Sequence, residues 1–254
     1  MKVLKTNNII KVYGDKRTTN TVNALNGITL EIEKGEFIGI MGASGSGKTT
    51  LLNILCGMLN PTAGNVEINE TIISTMEKNS LAIFRRRNIG YVFQDYKLLD
   101  SLTLRENIML PLVLDRLNPS HINERAIEII RLLGLEEASN QYPYQTSGGQ
   151  KQRAAIGRAL IKEPSIIFAD EPTGNLDTKA SNTIMESFVR INKEKDQTII
   201  MVTHDPKAAS YCDRILFIKD GRVNLEIVKK SGQKQFFEQI LDCIAVIGGD
   251  ENDG

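Results

Sequence analysis

Short runs of apolar, largely β-branched residues recur along the chain, and stretches with helical spacing separate them. IIKVY near residue 10, ITLEIE at 28–33, FIGIM at 37–41 and IGYVF at 89–93 read as strands. SIIFAD at 165–170, TIIMVTH at 198–204 and RILFIKDGRV at 214–223 read likewise. SIIFA and TIIMV are almost unbroken, the pattern of strands covered on both faces. Helical patterns follow several of them, which predicts an α/β fold with a mainly parallel central sheet. The first ninety or so residues hold more alternating positions and predict an antiparallel β layer. From about 97 to 160 strand signals fade, and LTLRENIMLPLVLD and HINERAIEIIRLLGL predict an inserted helical lobe. These patterns place one main domain at 1–228 and a C-terminal amphipathic helix with an acidic tail at 229–254. In that last segment Phe236, Ile240, Ile244 and Ile247 form one helical stripe, with Phe237 and Leu241 beside it. Such a stripe docks on its own domain more often than on a partner.

Composition narrows the function. Lys plus Arg number 31 and Asp plus Glu 31, so the 254-residue chain has no net charge. Nucleic-acid binders carry a basic excess, which argues against nucleic acid as the partner. Cys56, Cys212 and Cys243 are odd in number and far apart, so reduced thiols are expected rather than a disulfide framework or a zinc site. The N-terminus MKVLKTNNIIKVYG lacks the apolar core of a signal peptide. No apolar run approaches the roughly 18 residues that span a bilayer, so a role at the membrane requires a partner.

The sharpest chemistry lies at Gly42-Ala43-Ser44-Gly45-Ser46-Gly47-Lys48-Thr49, followed by Thr50. It matches the P-loop pattern GxxxxGK[ST], after the strand FIGIM and at the opening of the helical TTLLNILCG. Glycines let backbone N–H groups close around phosphate oxygens, and the helix N-terminus adds a positive dipole end. Lys48 is expected to reach the β- and γ-phosphates of ATP, and the Thr49 hydroxyl to ligate Mg²⁺. A glycine-rich turn that binds nothing is the competing reading, and the full strand–loop–helix context disfavours it. SIIFAD supplies Asp170 for the Mg²⁺ shell, and Glu171 follows it as the group that polarises the attacking water. A solvated strand end is the bland alternative, but unpaired carboxylates beside an apolar strand are costly.

Together these motifs resemble the ABC ATPases over nearly the whole chain, which implies a P-loop NTPase fold of that type. Thr146-Ser147-Gly148-Gly149-Gln150 resembles the family signature, with Thr146 where Leu is usual. Ser147 stands where a helix N-cap belongs. The resemblance implies that Ser147, Gly148, Gly149 and Gln150 contact the γ-phosphate of ATP held by the opposite subunit. It further implies that Gln94 is a Q-loop residue touching Mg²⁺, that Asp177 closes the D-loop Gly174-Asn175-Leu176-Asp177, and that His204 is the switch histidine. Tyr13 resembles the aromatic that stacks on adenine, although a tyrosine near a strand end is often only packing.

One P-loop and one signature per chain imply a homodimer with two composite ATP sites. GASGSGKTTLLNILCG, FQDYKLLDSLTLRENIMLPL and FADEPTGNLD resemble the group serving lipoprotein release, macrolide export and peptide resistance. IIMVTHDPKAASYCDRILFIKDG and FFEQILDCIAVIGGD resemble the bacitracin-resistance subgroup more narrowly. That resemblance implies an FtsX-like integral membrane permease with ten spanning helices, a location on the cytoplasmic face of the membrane, and a sensor histidine kinase working through the permease. An ATPase driving lipoprotein release, macrolide export or a cell-division mechanotransmitter is the alternative.

Overall fold

The computed structural model describes residues 1–14 and 21–249. The acidic end of the tail, 250–254, lies outside the described residues. In chain order the elements are β1 (Lys2–Tyr13), β2 (Val22–Glu33), β3 (Phe37–Met41), α1 (Lys48–Leu55), β4 (Ala63–Ile68), β5 (Thr71–Ile72), α2 (Lys78–Asn88), β6 (Ile89–Val92), α3 (Leu104–Leu114) and α4 (Pro119–Leu132). A 3₁₀ turn at Pro143–Gln145 then precedes α5 (Gly148–Leu160), β7 (Ile166–Asp170), α6 (Thr178–Lys195), β8 (Thr198–Val202), α7 (Pro206–Ala209), β9 (Arg214–Lys219), β10 (Arg222–Val228) and α8 (Gln233–Gly249). The chain forms an α/β fold and divides into two compact units, Met1–Met76 with Ile200–Gly254, and Glu77–Ile199.

The first unit holds an antiparallel layer in the order β2-β1-β4-β5, where buried and exposed positions alternate as one covered face requires. Beside it runs the order β10-β9-β3-β8, in which β3 and β9 are parallel. Every residue of β3 and β8 is buried, the burial that their unbroken apolar runs predict. RILFIKDGRV, read as one strand, is two: Asp220 and Gly221 both take positive φ and turn β9 back as β10. Two consecutive positive-φ residues are what a two-residue hairpin with the native twist needs. β8 straddles the division, with its last three residues in this unit.

In the second unit β6 and β7 pair in parallel, Val92 opposite Ala169. Helices α3, α4 and α5 build its helical core around Gly157, where an added Cβ would lie 3.0–3.1 Å from Ile129, Leu133 and Ile108. Asn107, fully buried in α3, ties down the preceding loop: its Oδ1 accepts from Leu99 N at 2.8 Å, and its Nδ2 donates to the carbonyls of Leu99, Leu102 and Thr103. Helix α2 escapes a reading based on apolar spacing because KNSLAIFRRRN buries only Leu81. No helix among the described residues is long and apolar enough to cross a membrane.

Candidate functional site

In the first unit, β3 ends in the glycine-rich loop and α1 begins at Lys48. Two glycines are dictated by close approach. A Cβ on Gly42 would stand 2.2 Å from the Ile218 carbonyl oxygen, and one on Gly47, at φ +102, would stand 2.4 Å from that of Ala24. The hairpin turn braces the same loop, since Gly221 N donates to Ser46 O at 3.2 Å and Asn26 N donates to Gly221 O at 2.8 Å. Sequence reasoning missed this brace, although an Asp-Gly pair between two apolar runs is a hairpin signal.

The loop fits a polyphosphate. Helix α1 has Gly47 as N-cap and therefore no side-chain cap for its first N–H groups. The Ser46 hydroxyl is buried without a hydrogen-bond partner. Lys48 is buried and folded over the loop, its Nζ donating to the carbonyls of Gly42 at 2.9 Å and Ala43 at 2.7 Å. Ala43, Ser44, Gly45 and Thr49 are exposed, and Thr50 is half-buried in the first turn. A cavity of about 350 Å³ opens over the loop from Gly42 to Ser46, and His204, Lys219, Ile244 and Ile247 also line it. His204 is exposed just beyond β8, on a turn fixed by Thr203 N donating to Ile40 O at 3.1 Å and Asp205 N donating to Thr203 Oγ1 at 3.0 Å. Tyr13 ends β1, is 43% exposed with Lys11 Nζ 5.2 Å from its ring centroid, and does not line this cavity.

In the second unit, the parallel register of β6 and β7 carries Gln94 to the end of the sheet where Asp170 and Glu171 emerge. Crevices at strand carboxyl ends are where open α/β sheets bind ligands. Glu171 holds φ +45, a left-handed conformation that costs a β-carbon residue energy and gathers at functional sites. Its carbonyl accepts from Gly174 N at 3.0 Å, closing the turn into the Asn175–Asp177 segment. Asn175 Nδ2 reaches Gln94 O at 3.4 Å and Asp95 Oδ1 at 3.3 Å. Asp177 caps α6 by accepting from Ala180 N at 2.8 Å.

The Ser147–Gln150 segment is a complete capping box on α5. Gln150 N donates to Ser147 Oγ at 3.3 Å, and Ser147 N donates to Gln150 Oε1 at 2.8 Å. Gly148 lies against the D-loop and Q-loop, because a Cβ there would meet Leu176 at 2.9 Å and the Tyr96 hydroxyl at 3.0 Å. Thr146 spends its hydroxyl on Pro143 O at 2.9 Å, closing the turn before the helix. Arg158, on the same helix, was not legible as a site residue. Its guanidinium donates to Tyr96 O at 2.8 Å and to Lys97 O, and both of those residues have positive φ. Burial lowers its pKa, yet a guanidinium keeps its charge.

Comparison with known proteins agrees with these features. The family model described as ABC transporter matches residues 25–174. The uncharacterised ABC transporter ATP-binding protein YvcR of Bacillus subtilis is 48% identical over 250 residues, 98% of this chain and 96% of that one. The bacitracin export ATP-binding protein BceA of Halalkalibacterium halodurans is 45% identical over 254 residues, all of both chains. Among solved structures, the dimeric ATP-binding cassette MJ0796 in a post-hydrolysis state with ADP and Pi aligns with TM-score 0.81 and 39% identity, over 90% of this chain and 99% of that one.

Proposed function

The chain belongs to the ABC transporter family as an ATP-binding, ATP-hydrolysing subunit, and on that premise we propose that it powers a membrane permease protecting its host against cell-wall-active peptides such as bacitracin or lantibiotics. The 45% identity with BceA over the whole of both chains, the C-terminal helix included, carries this reading. The permease is of the FtsX-like kind, holds the chain at the cytoplasmic face of the membrane, and links it to a sensor histidine kinase.

The residue roles follow from chemistry. The P-loop and Lys48 bind the phosphates of ATP, and Lys48 supplies charge to the transferring γ-phosphoryl group. Thr49, Asp170 and Gln94 are the groups that would hold Mg²⁺, which would offset the charge of the phosphates beside it. Glu171 accepts a hydrogen bond from the attacking water, and His204 orients the γ-phosphate. The Ser147–Gln150 segment of a second copy completes each site. Glu171→Gln is expected to keep ATP binding and slow phosphate release by about 10²–10⁴-fold, the range of a lost general base. Deleting the gene is expected to sensitise the host to a panel of bacitracin and lantibiotics. Unchanged sensitivity, with defective lipoprotein release or division instead, would assign the chain to a sister group.

A further inference from the structure

The loop that follows β6 is held carbonyl by carbonyl. Phe93 O accepts from Gln152 Nε2 at 3.3 Å, and Gln94 O accepts from Asn175 Nδ2 at 3.4 Å. Asp95 O accepts from Lys97 N, which closes a three-residue turn across Tyr96. Tyr96 O and Lys97 O both accept from the guanidinium of Arg158. Water could satisfy the carbonyls of a surface loop. Here side chains of α5 and of the turn after β7 hold most of them instead. Tyr96 and Lys97 take φ +60 and +49, conformations that persist in residues with a β-carbon only where the surroundings over-determine them. The planar fork of Arg158, donating to both carbonyls at once, is such a determinant, and the point charge of a lysine does not reproduce it. Near the start of α5, a Cβ on Gly148 would lie 3.0 Å from the Tyr96 hydroxyl. The loop is therefore fastened along α5 from its first turn to its last.

We propose that Gln152 and Arg158 are positioning residues for ATP hydrolysis, which hold Gln94 in register with Asp170 and Glu171 by pinning the loop that carries it. The inference rests on the reading of Gln94 as a Mg²⁺ group. Gln94 lies between the two attachments in sequence, and the parallel pairing of β6 with β7 sets its level beside Asp170. Its Nε2 packs on Gly174, where a Cβ would stand 2.7 Å away, in the turn closed by Gly174 N donating to Glu171 O. Gln152 supports the reading by its own chemistry. It is fully buried, donates through Nε2 to Phe93 O, and leaves Oε1 without a hydrogen-bond partner. A half-satisfied buried amide costs stability, and an apolar side chain would fill the same space at lower cost. What the amide supplies that an apolar side chain cannot is the hold on Phe93, at the entrance to the loop. Arg158 supplies the matching hold at the exit.

The test is a double-mutant cycle on the full chain. Arg158→Lys, Gln152→Met and Gln94→Ala are compared singly, and each of the first two is combined with Gln94→Ala. Phosphate release at saturating Mg-ATP gives kcat, ATP affinity is measured in EDTA, and far-UV circular dichroism reports the fold. Arg158→Lys and Gln152→Met are expected to keep the parental ATP affinity in EDTA and to lose kcat about 10–100-fold, the range for a group that orients a metal ligand. Combined with Gln94→Ala, neither is expected to slow the enzyme below Gln94→Ala alone, because each acts through Gln94. Losses that multiply in the combined variants belong to a merely structural role and overturn the inference. Wild-type kcat in both Arg158→Lys and Gln152→Met, beside an impaired Gln94→Ala, also overturns it. If Arg158→Lys fails to fold, Gln152→Met decides the outcome, since an apolar side chain of similar size in place of a half-satisfied amide leaves the core stable. A Gln94→Ala chain with wild-type kcat overturns the Mg²⁺ reading of Gln94, and this inference with it.

Discussion

Two glycine-bearing helix starts, those of α1 and α5, are built in opposite ways. Helix α1 opens at Gly47 with no side chain to satisfy its first N–H groups, beside a buried Ser46 hydroxyl without a partner. Helix α5 opens at Ser147 with both halves of a capping box made. The first is an unfinished helix end, completed by an anion. The second is finished by its own residues and needs no ligand to be stable. Its phosphate contacts, in the proposed dimer, must share or replace hydrogen bonds that Ser147 and Gln150 already make. On the proposed reading, the P-loop is a binding site in its own right, and the signature segment becomes one only against a second copy.

The largest expected effect is on the open helix end. Lys48→Ala removes the cation folded over Gly42 and Ala43 and leaves the phosphates without it. ATPase activity is expected to fall to background in a phosphate-release assay. Undiminished turnover would show that the loop is not the phosphate site and would erase the contrast with α5.

Sharing between copies is tested by mixing. A Lys48→Ala chain and a Ser147→Arg chain are each expected to be inactive alone. In the mixed dimer one site carries both lesions and the other carries neither, so activity is expected to return to a fraction of wild type. Mixtures that stay inactive although cross-linking shows an ATP-bound mixed dimer would mean that both sites must act together.

How much of this was legible in the sequence differs between the same two regions. The P-loop was readable because its pattern is local: strand, glycines, Lys48 and helix follow one another within a dozen residues. The signature was readable as a cap at Ser147, while the Gln150 half of the capping box emerged only in the fold. What closes around each was not readable. Ala24 and Ile218 press on the P-loop from β2 and β9, Gly221 bonds Ser46 from the hairpin turn, and α8 joins its cavity from the far end of the sequence. Glu171 shows no propensity for positive φ, so its strained backbone comes from the turn that follows β7. Arg158 belongs to no motif, and only the fold reveals the two carbonyls that it holds. Short β4 and β5, and α2 with its single buried Leu81, gave too little periodic signal to be read.

The smallest effect is the most discriminating, and it concerns the Ser147 hydroxyl. As an N-cap, that hydroxyl contributes to α5, and replacing a Ser cap by Ala typically costs about 0.5–2 kcal/mol. In a domain of this size each kcal/mol moves Tm by about 2–4 °C. Ser147→Ala therefore confounds a weaker helix with a lost phosphate contact. Glycine separates them, because Gly is nearly as good an N-cap as Ser and costs only about a few tenths of a kcal/mol. Ser147→Gly also preserves the backbone N–H groups of the segment. Its Tm is expected to lie within about 1 °C of wild type, with ATP binding by the monomer unaltered, since the monomer's own P-loop is intact. ATP-driven dimerisation in the Glu171→Gln background is expected to weaken about tenfold or more, the loss of one hydrogen bond to a charged group. If Ser147→Gly dimerises like its parent, Ser147 serves only as the cap that the monomer shows, and the phosphate contact falls to the backbone and Gln150.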